Sequence, residues 1–481
     1  MVMIHKVLVA NRGEIAIRIF HTLREMGIRS VAVYTEVDGR SLHVRTADES
    51  SRVENYLDTR EILRAAAETG ADAIHPGYGF LSENAAFAEA CEQAKLTFIG
   101  PRPQTIRRMG DKLESKRVMK DAGVPVVPTW DAEPPANAYP VLVKAVGGGG
   151  GKGMRLVEHP RDLNEAKAAA SREAAKAFND DRVFVEKYIS NPRHIEFQVF
   201  GDTLGSVIHV FERECSIQRR HQKIIEETPS PAVSPDLRAK MGEAAVAAAR
   251  AVGYVGAGTV EFILSPDGQF YFLEMNTRLQ VEHPVTEMTT GLDLVREQVL
   301  VANGQPLSIK QTDVRQSGHS LECRIYAEVP EENFRPDTGS IAVYRPPTGP
   351  GIRLDSGVEQ DSEVGFHYDP MLAKLIVWAP ARDASIERMQ RALSEFVLLG
   401  VRNNIEFLHR VVSHADFKAG KIDTHFLEHH AELRKPTTTE IPVEALLAAS
   451  LTSSDSRGHR GTNGADQTFD DVWQSGAWRN A

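Results

Sequence analysis

Two apolar, β-rich runs within residues 258–276 flank the dipeptide Asp267-Gly268, and this feature constrains the fold most. An Asp-Gly pair between apolar runs is typical of a two-residue hairpin turn in which both central residues adopt positive φ. Pairing outward from such a turn places Glu261 directly opposite Glu274. Residues that face each other in this way have Cβ atoms about 4.5–5.5 Å apart, so the sequence predicts two neighbouring carboxylates.

Two ionised carboxylates at this distance repel each other. A hard divalent cation removes the repulsion, because it takes both carboxylates as oxygen ligands. Asn276 follows two residues after Glu274 on the same face of the strand and can add a carbonyl oxygen. The alternative is a solvated hairpin face on which two acids align by chance, but the apolar second strand favours burial and therefore a metal site.

The same alternation continues past the hairpin if the chain stays extended. Arg278, Gln280 and Glu282 would then point in the same direction as Glu274 and Asn276. Charged groups of both signs beside a metal suit a small anion held against a bound polyphosphate. The alternative is a mixed-charge edge strand that faces water.

The length of 481 residues exceeds what one hydrophobic core usually organises, so several domains are expected. Alternating strand and helix patterns predict an N-terminal doubly wound domain with a parallel sheet over residues 1–99. A helical linker is predicted over 100–126, a small domain over 127–188 and a mainly antiparallel region over 189–435. Residues 436–481 turn rich in Ser, Gly, Asn and Asp and are expected to be mostly flexible. The predicted fold class is α/β, or α+β overall.

A run of five glycines at 147–151, followed by Lys152, lies between two predicted strands. Backbone N–H groups in such a run can converge on phosphate oxygens without interference from Cβ atoms. The alternative is a flexible linker, although strands close on both sides favour a hairpin flap. Lys144 ends the preceding strand and is predicted to lie near the same phosphates, unless its side chain extends into water.

Two further polar segments carry candidate ligands. Glu186 can accept a hydrogen bond from a purine amino group or a ribose hydroxyl, with a simple salt bridge as an equal alternative. Residues 212–223 alternate in charge between an apolar strand and a Pro-rich segment, so they form either a solvated face or the wall of a cleft. In a cleft, Lys223 would bind an anion as a point charge.

Charge balance and cysteine content restrict the class of protein. A net charge of −10 without a basic stripe argues against nucleic-acid binding. The three cysteines are widely separated and fit neither a disulfide framework nor a zinc site, which favours a reducing compartment. The sequence shows no secretory signal and no apolar run of membrane-spanning length. A cytoplasmic protein that binds neither nucleic acid nor membrane is therefore expected.

Residues 4–430 resemble biotin carboxylase, the component of biotin-dependent carboxylases that belongs to the ATP-grasp superfamily. The resemblance implies an ATP-grasp fold, in which residues 127–188 form the lid and residues 189–435 combine the catalytic core with the biotin carboxylase C-terminal domain. It is carried by residues 9–18 (VANRGEIAIR), 75–84 (HPGYGFLSEN), 147–154 (GGGGGKGM), 193–196 (RHIE), 215–223 (CSIQRRHQK) and 274–287 (EMNTRLQVEHPVTE).

The resemblance also implies a role for individual residues. Glu282 matches the general base that deprotonates bicarbonate, and Arg324 matches the residue that stabilises the biotin enolate. The ligands of one or two Mg²⁺ or Mn²⁺ ions match Glu261, Glu274 and Asn276. The contacts to bicarbonate match Lys223, Arg278, Gln280 and Val281, of which Lys223 and Arg278 also count as catalytic. The contacts to ATP match Lys112, Lys144, Gly150, Gly151, Glu186, Ile189, His194, Gln218 and His221.

The implied reaction is the ATP- and bicarbonate-dependent carboxylation of biotin through carboxyphosphate, the first half-reaction of an acetyl-, propionyl- or methylcrotonyl-CoA type carboxylase. Because the chain holds no Ala-Met-Lys-Met biotinylation motif, biotin would arrive on a carrier protein or domain. A homodimer and a separate carboxyltransferase partner are implied as well. The chain is either a free-standing subunit or part of a longer α-chain.

Two other interpretations stay open. One is a different ATP-grasp ligase that joins a carboxylate to an amine. The other is a nucleotide-binding subunit without catalytic activity, which a shortened segment between Pro128 and Tyr139 suggests.

Overall fold

The computed structural model describes residues 3–130, 133–147, 153–220 and 222–435. Three of the predicted nucleotide contacts, Gly150, Gly151 and His221, lie outside the described residues, as do Lys152 and the tail from residue 436.

The described residues of the N-terminal part form a five-stranded parallel sheet. Its strands are β1 (Lys6–Val9), β2 (Arg29–Tyr34), β3 (Glu49–Arg52), β4 (Ala73–His75) and β5 (Thr97–Phe98), in the order β3-β2-β1-β4-β5. Both faces are covered, because Val7 and Val9 pack with Ile19 on one side and Leu8 packs with Ile62 on the other. The covering helices are α1 (Gly13–Glu25), α2 (Leu42–Thr46), α3 (Thr59–Thr69) and α4 (Ala85–Gln93). The predicted doubly wound domain is confirmed.

Two linker helices and a small sheet follow. The helices are α5 (Pro103–Gly110) and α6 (Lys112–Asp121), and the Asp111 side chain caps α6 by accepting hydrogen bonds from two backbone amides of its first turn. The strands are β6 (Thr129–Trp130), β7 (Val141–Ala145), β8 (Arg155–Val157) and β9 (Val183–Lys187), and they form an antiparallel sheet in the order β6-β9-β7-β8. Helix α7 (Leu163–Phe178) covers this sheet, since Leu163 and Ala170 pack with Val141 and Val143.

An eight-stranded antiparallel sheet, counted over the described residues, dominates the rest of the chain. Its strands are β10 (Arg193–Gly201), β11 (Val207–Arg219), β12 (Gln222–Thr228), β13 (Gly256–Leu264), β14 (Phe270–Asn276), β15 (His319–Tyr326), β20 (Ile352–Ser356) and β22 (Met371–Ala379). They lie in the order β14-β13-β10-β11-β12-β15-β22-β20. Because β12 pairs with β15, with Ile225 opposite Cys323, the sheet runs unbroken from the hairpin to the C-terminal strands.

The hairpin of β13 and β14 has the predicted pairing but not the predicted turn. Ser265 N donates to Gln269 O at 2.8 Å, so the loop contains three residues, and among them Gly268 alone has positive φ (+83°). Pro266, whose ring restricts φ to negative values, fits this longer loop. A bulge at Leu273 then shifts the register by one residue, so that Glu261 does lie opposite Glu274. The prediction of the facing acids is confirmed, whereas the two-residue turn is wrong.

The remaining elements complete the C-terminal part. The helices are α8 (Pro235–Ala251), α9 (His283–Thr290), α10 (Leu294–Ala302), α11 (Arg382–Glu395), α12 (Ile405–Ser413), α13 (Ala415–Lys418) and α14 (Phe426–His429). The short strands are β16 (Glu328–Val329), β17 (Arg335–Pro336), β18 (Gly339–Ser340), β19 (Val343–Arg345), β21 (Glu363–Val364) and β23 (Val397–Leu399). Within the described ranges, every helix is too short or too polar to cross a bilayer. The described residues up to Lys435 form one compact unit, so the finer boundaries at 99, 126 and 188 stay predictions.

Candidate active site

A cavity of about 1080 Å³ opens between the N-terminal loops, the small sheet and the large sheet. Every predicted site residue that the structure describes lines this cavity. They are Lys112, Lys144, Glu186, Ile189, His194, Gln218, Lys223, Glu261, Glu274, Asn276, Arg278, Gln280, Val281, Glu282 and Arg324. The tertiary structure therefore brings together side chains that are up to 212 residues apart in the chain (112 to 324).

The two facing carboxylates lie in different electrostatic surroundings. Glu261 is 2.7 Å from Lys223 Nζ and 2.8 Å from His194 Nε2, and it accepts a hydrogen bond from Asn276 Nδ2 at 2.8 Å. Glu274 forms no ion pair with any described residue, and burial and the charge of Glu261 raise its pKa. A partly buried carboxylate that no described lysine or arginine contacts directly, beside a second carboxylate and an amide oxygen, fits a hard divalent cation.

The extended chain that the alternation of residues 274–282 requires does not continue beyond the hairpin. Strand β14 ends at Asn276, and the next regular element is α9, which begins at His283. Gln280 and Glu282 nevertheless line the cavity, and Gln280 Nε2 donates to Glu261 Oε1 at 3.0 Å. The predicted convergence of these side chains is thus confirmed, although a turning segment rather than strand alternation brings it about.

Arg278 is held by three side chains around its guanidinium group. Its Nε lies 2.9 Å from Glu83 Oε2, its Nη1 lies 2.8 Å from Gln280 Oε1, and its Nη2 lies 3.0 Å from Asn276 Oδ1. Glu83 also accepts a hydrogen bond from the backbone N–H of Thr277 at 2.9 Å. Sequence reasoning missed Glu83, and the available signal was its position inside the matched segment 75–84.

Lys223 occupies the centre of a group of carboxylates. Its Nζ lies 2.7 Å from both Glu261 Oε1 and Glu282 Oε1, and it also contacts Glu196. Burial alone would lower the pKa of Lys223, but the three carboxylates raise it well above its usual value. Lys223 therefore stays protonated next to the metal-ligand candidates, as a residue that binds an anion requires.

Glu282 is buried between two cations. Lys223 contacts its Oε1, and Arg324 Nη2 lies 2.9 Å from its Oε2. Burial alone would raise the pKa of Glu282, but Lys223 and Arg324 hold it well below its usual value. Glu282 is therefore an ionised proton acceptor that two cations keep in place.

Arg324 links Glu282 to the neighbouring strand. Arg324 lies on β15, and its Nε donates to Glu226 Oε1 at 2.7 Å. Glu226 lies on β12, the strand that pairs with β15 in the large sheet. Burial and nearby Glu282 raise the pKa of Glu226 to about 7, although Arg324 lowers it. Arg324 thus has a fixed orientation, which follows from the continuous pairing of β12 with β15.

The remaining predicted residues of the lining are Lys112, Lys144, Glu186, Ile189, His194 and Gln218. Gln218 Nε2 lies 2.9 Å from His194 Nδ1, and Lys144 Nζ lies 2.9 Å from Glu186 Oε1. Lys116 contacts the second oxygen of Glu186. Sequence reasoning missed Lys116, because nothing in the local pattern separates it from the other two lysines of the same helix, Lys112 and Lys120.

Three family models match consecutive parts of the chain. The biotin carboxylase N-terminal domain matches residues 3–106, and the carbamoyl-phosphate synthase L chain ATP-binding domain matches residues 111–310. The biotin carboxylase C-terminal domain matches residues 322–429. All the predicted site residues fall within the second and third of these matches.

Curated relatives share about half of the residues with this chain. The mitochondrial methylcrotonoyl-CoA carboxylase α-chain of Arabidopsis thaliana is 51% identical over 466 residues, covering 92% of this chain and 64% of the relative. The chain thus spans slightly less than two thirds of that relative. The chloroplastic biotin carboxylase of Arabidopsis thaliana is 51% identical over 448 residues, covering 90% of this chain and 83% of the relative.

Solved structures agree with the sequence comparison. One is the biotin carboxylase domain dimer of Hydrogenobacter thermophilus 2-oxoglutarate carboxylase, in complex with MgADP, ADP and bicarbonate. It is 46% identical, with a TM-score of 0.87, over 91% of this chain and 100% of that chain. A Campylobacter jejuni biotin carboxylase complex is 45% identical, with a TM-score of 0.85, over 89% of this chain and 99% of that chain. The chain therefore belongs to the biotin carboxylase family of ATP-grasp enzymes, which are ligases that form a C–N bond.

Proposed function

We propose that the chain carboxylates biotin at the expense of ATP and bicarbonate, as the first half-reaction of a biotin-dependent acyl-CoA carboxylase. One observation carries the proposal: the ionised Glu282 lies between Lys223 and Arg324, next to the facing pair Glu261 and Glu274. This arrangement provides a base with an anion-binding cation on one side and an arginine on the other.

ATP would bind along the end of the cavity formed by Lys112, Lys144 and Glu186. The Hydrogenobacter thermophilus relative binds MgADP, which supports nucleotide binding by this chain. Glu261, Glu274 and Asn276 would hold Mg²⁺ or Mn²⁺, because their oxygen atoms suit a hard cation. Such an ion would neutralise negative charge on the phosphoryl group that is transferred.

Bicarbonate would bind to Arg278, Gln280, Lys223 and the backbone of Val281. Glu282 removes its proton, a bicarbonate oxygen forms a bond to the γ-phosphorus, and the bond between that phosphorus and the bridging oxygen of ADP breaks. The products are ADP and carboxyphosphate. As Lys223 turns from Glu282 towards the bound anion, the pKa of Glu282 rises and the carboxylate becomes a stronger base.

Biotin would bind next to Arg324. Carboxyphosphate breaks down to CO₂ and phosphate, the phosphate takes the N1′ proton of biotin, and N1′ then forms a bond to CO₂. Arg324 stabilises the negative charge on the ureido oxygen of the enolate. An arginine suits this role because it keeps its own proton at any working pH.

The partners belong to the same proposal. A carrier protein or domain would deliver biotin, and a carboxyltransferase would use the carboxybiotin. The dimer of the solved biotin carboxylase domain supports a homodimer. The buried free thiols of Cys91, Cys215 and Cys323 suit a reducing compartment such as the cytoplasm, although plant relatives carry mitochondrial and chloroplastic names.

The test is ADP release in the presence of Mg²⁺ and free biotin, with and without bicarbonate. We expect ADP release to require bicarbonate and to increase with biotin. ADP release that ignores bicarbonate but depends on an added amine would contradict the proposal and support a carboxylate–amine ligase instead.

A further inference from the structure

Two lysines contact the Glu186 carboxylate, one on each oxygen. Lys144 Nζ lies 2.9 Å from Oε1, and Lys116 Nζ donates to Oε2. All three side chains belong to residues that are at most 8% exposed. Burial alone would raise the pKa of Glu186, but the two lysines together hold it below its usual value. One buried carboxylate therefore has two ammonium partners.

The two lysines reach Glu186 from different elements. Lys144 lies on β7, next to β9 in the small sheet, whereas Lys116 lies on α6, before that sheet in the chain. Lys116 Nζ also lies 4.8 Å from the centre of the Phe184 ring and 3.5 Å from Thr129 Oγ1. An ion pair and a cation–π contact thus hold Lys116 against the small sheet.

The two lysines also differ in what they face. Lys144 lines the cavity, as does Lys112 one helical turn before Lys116. Lys116 lies behind Glu186 and is not part of the lining that the described residues form. Lys144 can therefore reach a ligand in the cavity, whereas Lys116 has Glu186 as its ionic partner.

We propose that Lys116 is the permanent counter-ion of Glu186 and thereby a positioning residue for nucleotide binding, because it frees Lys144 to contact a nucleoside triphosphate. This inference rests on the proposed function. When Lys144 turns to a phosphate, Lys116 still neutralises Glu186. Without Lys116, the same movement would leave a buried carboxylate with no cationic partner, which is strongly unfavourable. Lys144 would then stay on Glu186 and the nucleotide would lose a contact.

The test compares Lys116→Met with Lys116→Arg and with Lys120→Met in the full chain. Methionine keeps much of the volume of lysine but removes the charge, and arginine keeps the charge. Lys120 is an exposed lysine of the same helix, so Lys120→Met controls for loss of a positive charge from α6. The measurements are the KM for ATP, the KM for bicarbonate, kcat, and the Kd for MgADP by calorimetry.

We expect Lys116→Met to raise the KM for ATP and the Kd for MgADP at least about tenfold, with the KM for bicarbonate within about twofold of the wild type. Lys116→Arg should recover most of the nucleotide affinity, and Lys120→Met should match the wild type. A Kd for MgADP unchanged in Lys116→Met would overturn the inference, and so would an equal loss in Lys116→Arg.

A second comparison covers the case in which Lys116→Met folds poorly. Glu186→Gln removes the carboxylate that Lys116 neutralises. In this background, adding Lys116→Met should therefore change the Kd for MgADP by less than about threefold. A loss as large as in the wild-type background would contradict the counter-ion role. Calorimetry with MgADP needs no turnover, so failure of this inference can be distinguished from failure of the proposed function, which bicarbonate-dependent ADP release tests separately.

Discussion

Arg324 Nη2 lies 2.9 Å from Glu282 Oε2 in a buried ion pair, and Lys223 contacts the other oxygen of the same carboxylate. Glu282→Gln removes the proton acceptor while keeping its shape. We expect biotin-dependent ADP release to fall at least about a hundredfold, since a general base contributes on the order of 10²–10⁴. The Kd for MgADP should stay within about threefold of the wild type, measured by calorimetry.

A suitable control for this variant is Glu332→Gln, because Glu332 is an exposed acid that pairs with Arg335. It should leave both measurements unchanged. Wild-type turnover in Glu282→Gln would show that another group accepts the proton.

The facing pair Glu261 and Glu274 leads to a prediction about metal binding. Glu274→Gln removes one of two like charges, so the protein without ligands should be at least as stable as the wild type in a thermal melt. Added Mg²⁺ should then increase the thermal stabilisation by ADP far less than in the wild type, because a carboxylate ligand has been lost. A full Mg²⁺ effect in Glu274→Gln would exclude this residue as a ligand.

Glu83 and Arg278 lead to a prediction about bicarbonate. Glu83→Gln removes the charge that orients Arg278, so the KM for bicarbonate should rise about tenfold, in line with the loss of a charged hydrogen bond of about 1.5 kcal/mol. The KM for ATP should change little. The control is Glu89→Gln, because Glu89 is an acid that pairs with Arg107 on the surface. Equal increases in both KM values would instead indicate a general disturbance of the fold.

Glu227 is predicted to make stability depend on pH. Burial alone would raise its pKa, but hydrogen bonds from His319 and Arg382 lower it from 4.5 to about 2. A pKa that is lower in the folded state stabilises the fold above the unfolded value, and this stabilisation is lost as the pH falls from about 4.5 towards 2. Glu227→Gln should therefore cost on the order of 3 kcal/mol in the free energy of unfolding at pH 7.

The measurement for Glu227 is urea unfolding across this range of pH. The difference between Glu227→Gln and the wild type should shrink as the pH falls below 4.5. Glu395→Gln, which changes an exposed acid beside Arg391, should show no such difference. A constant difference at every pH would mean that packing rather than charge is responsible.

The site could be predicted in large part from local patterns. Alternation in two adjacent strands was enough to bring Glu261 opposite Glu274, and the family resemblance identified the lining residues around them. The turn was predicted wrongly, because an Asp-Gly pair suits both a two-residue loop and the three-residue loop found here. The bulge at Leu273 compensates for the extra loop residue, and nothing in the local pattern shows it.

Contacts between distant segments could not be predicted from local sequence patterns. Glu83 and Arg278 are 195 residues apart, and Lys116 reaches Glu186 across 70 residues. Each of these four charged residues occurs in a segment that contains other residues of the same charge or polarity. Which of them becomes buried against which partner depends on how the helices and sheets pack.

The sequence by itself determined the strand–helix alternation and parallel sheet of the N-terminal part and the hairpin with its facing acids, because these depend on alternation and turn chemistry over short stretches. The tertiary structure alone decided the partners that set the charge state and orientation of the site. Arg324 meets Glu282 because β15 joins the sheet next to β12. Lys116 meets Glu186 because α6 packs against the large sheet in a position from which the Lys116 side chain reaches the small sheet. A buried charge without a partner is strongly unfavourable, so these ion pairs set the charge state of the site. Which charges become buried depends on the packing of the whole chain.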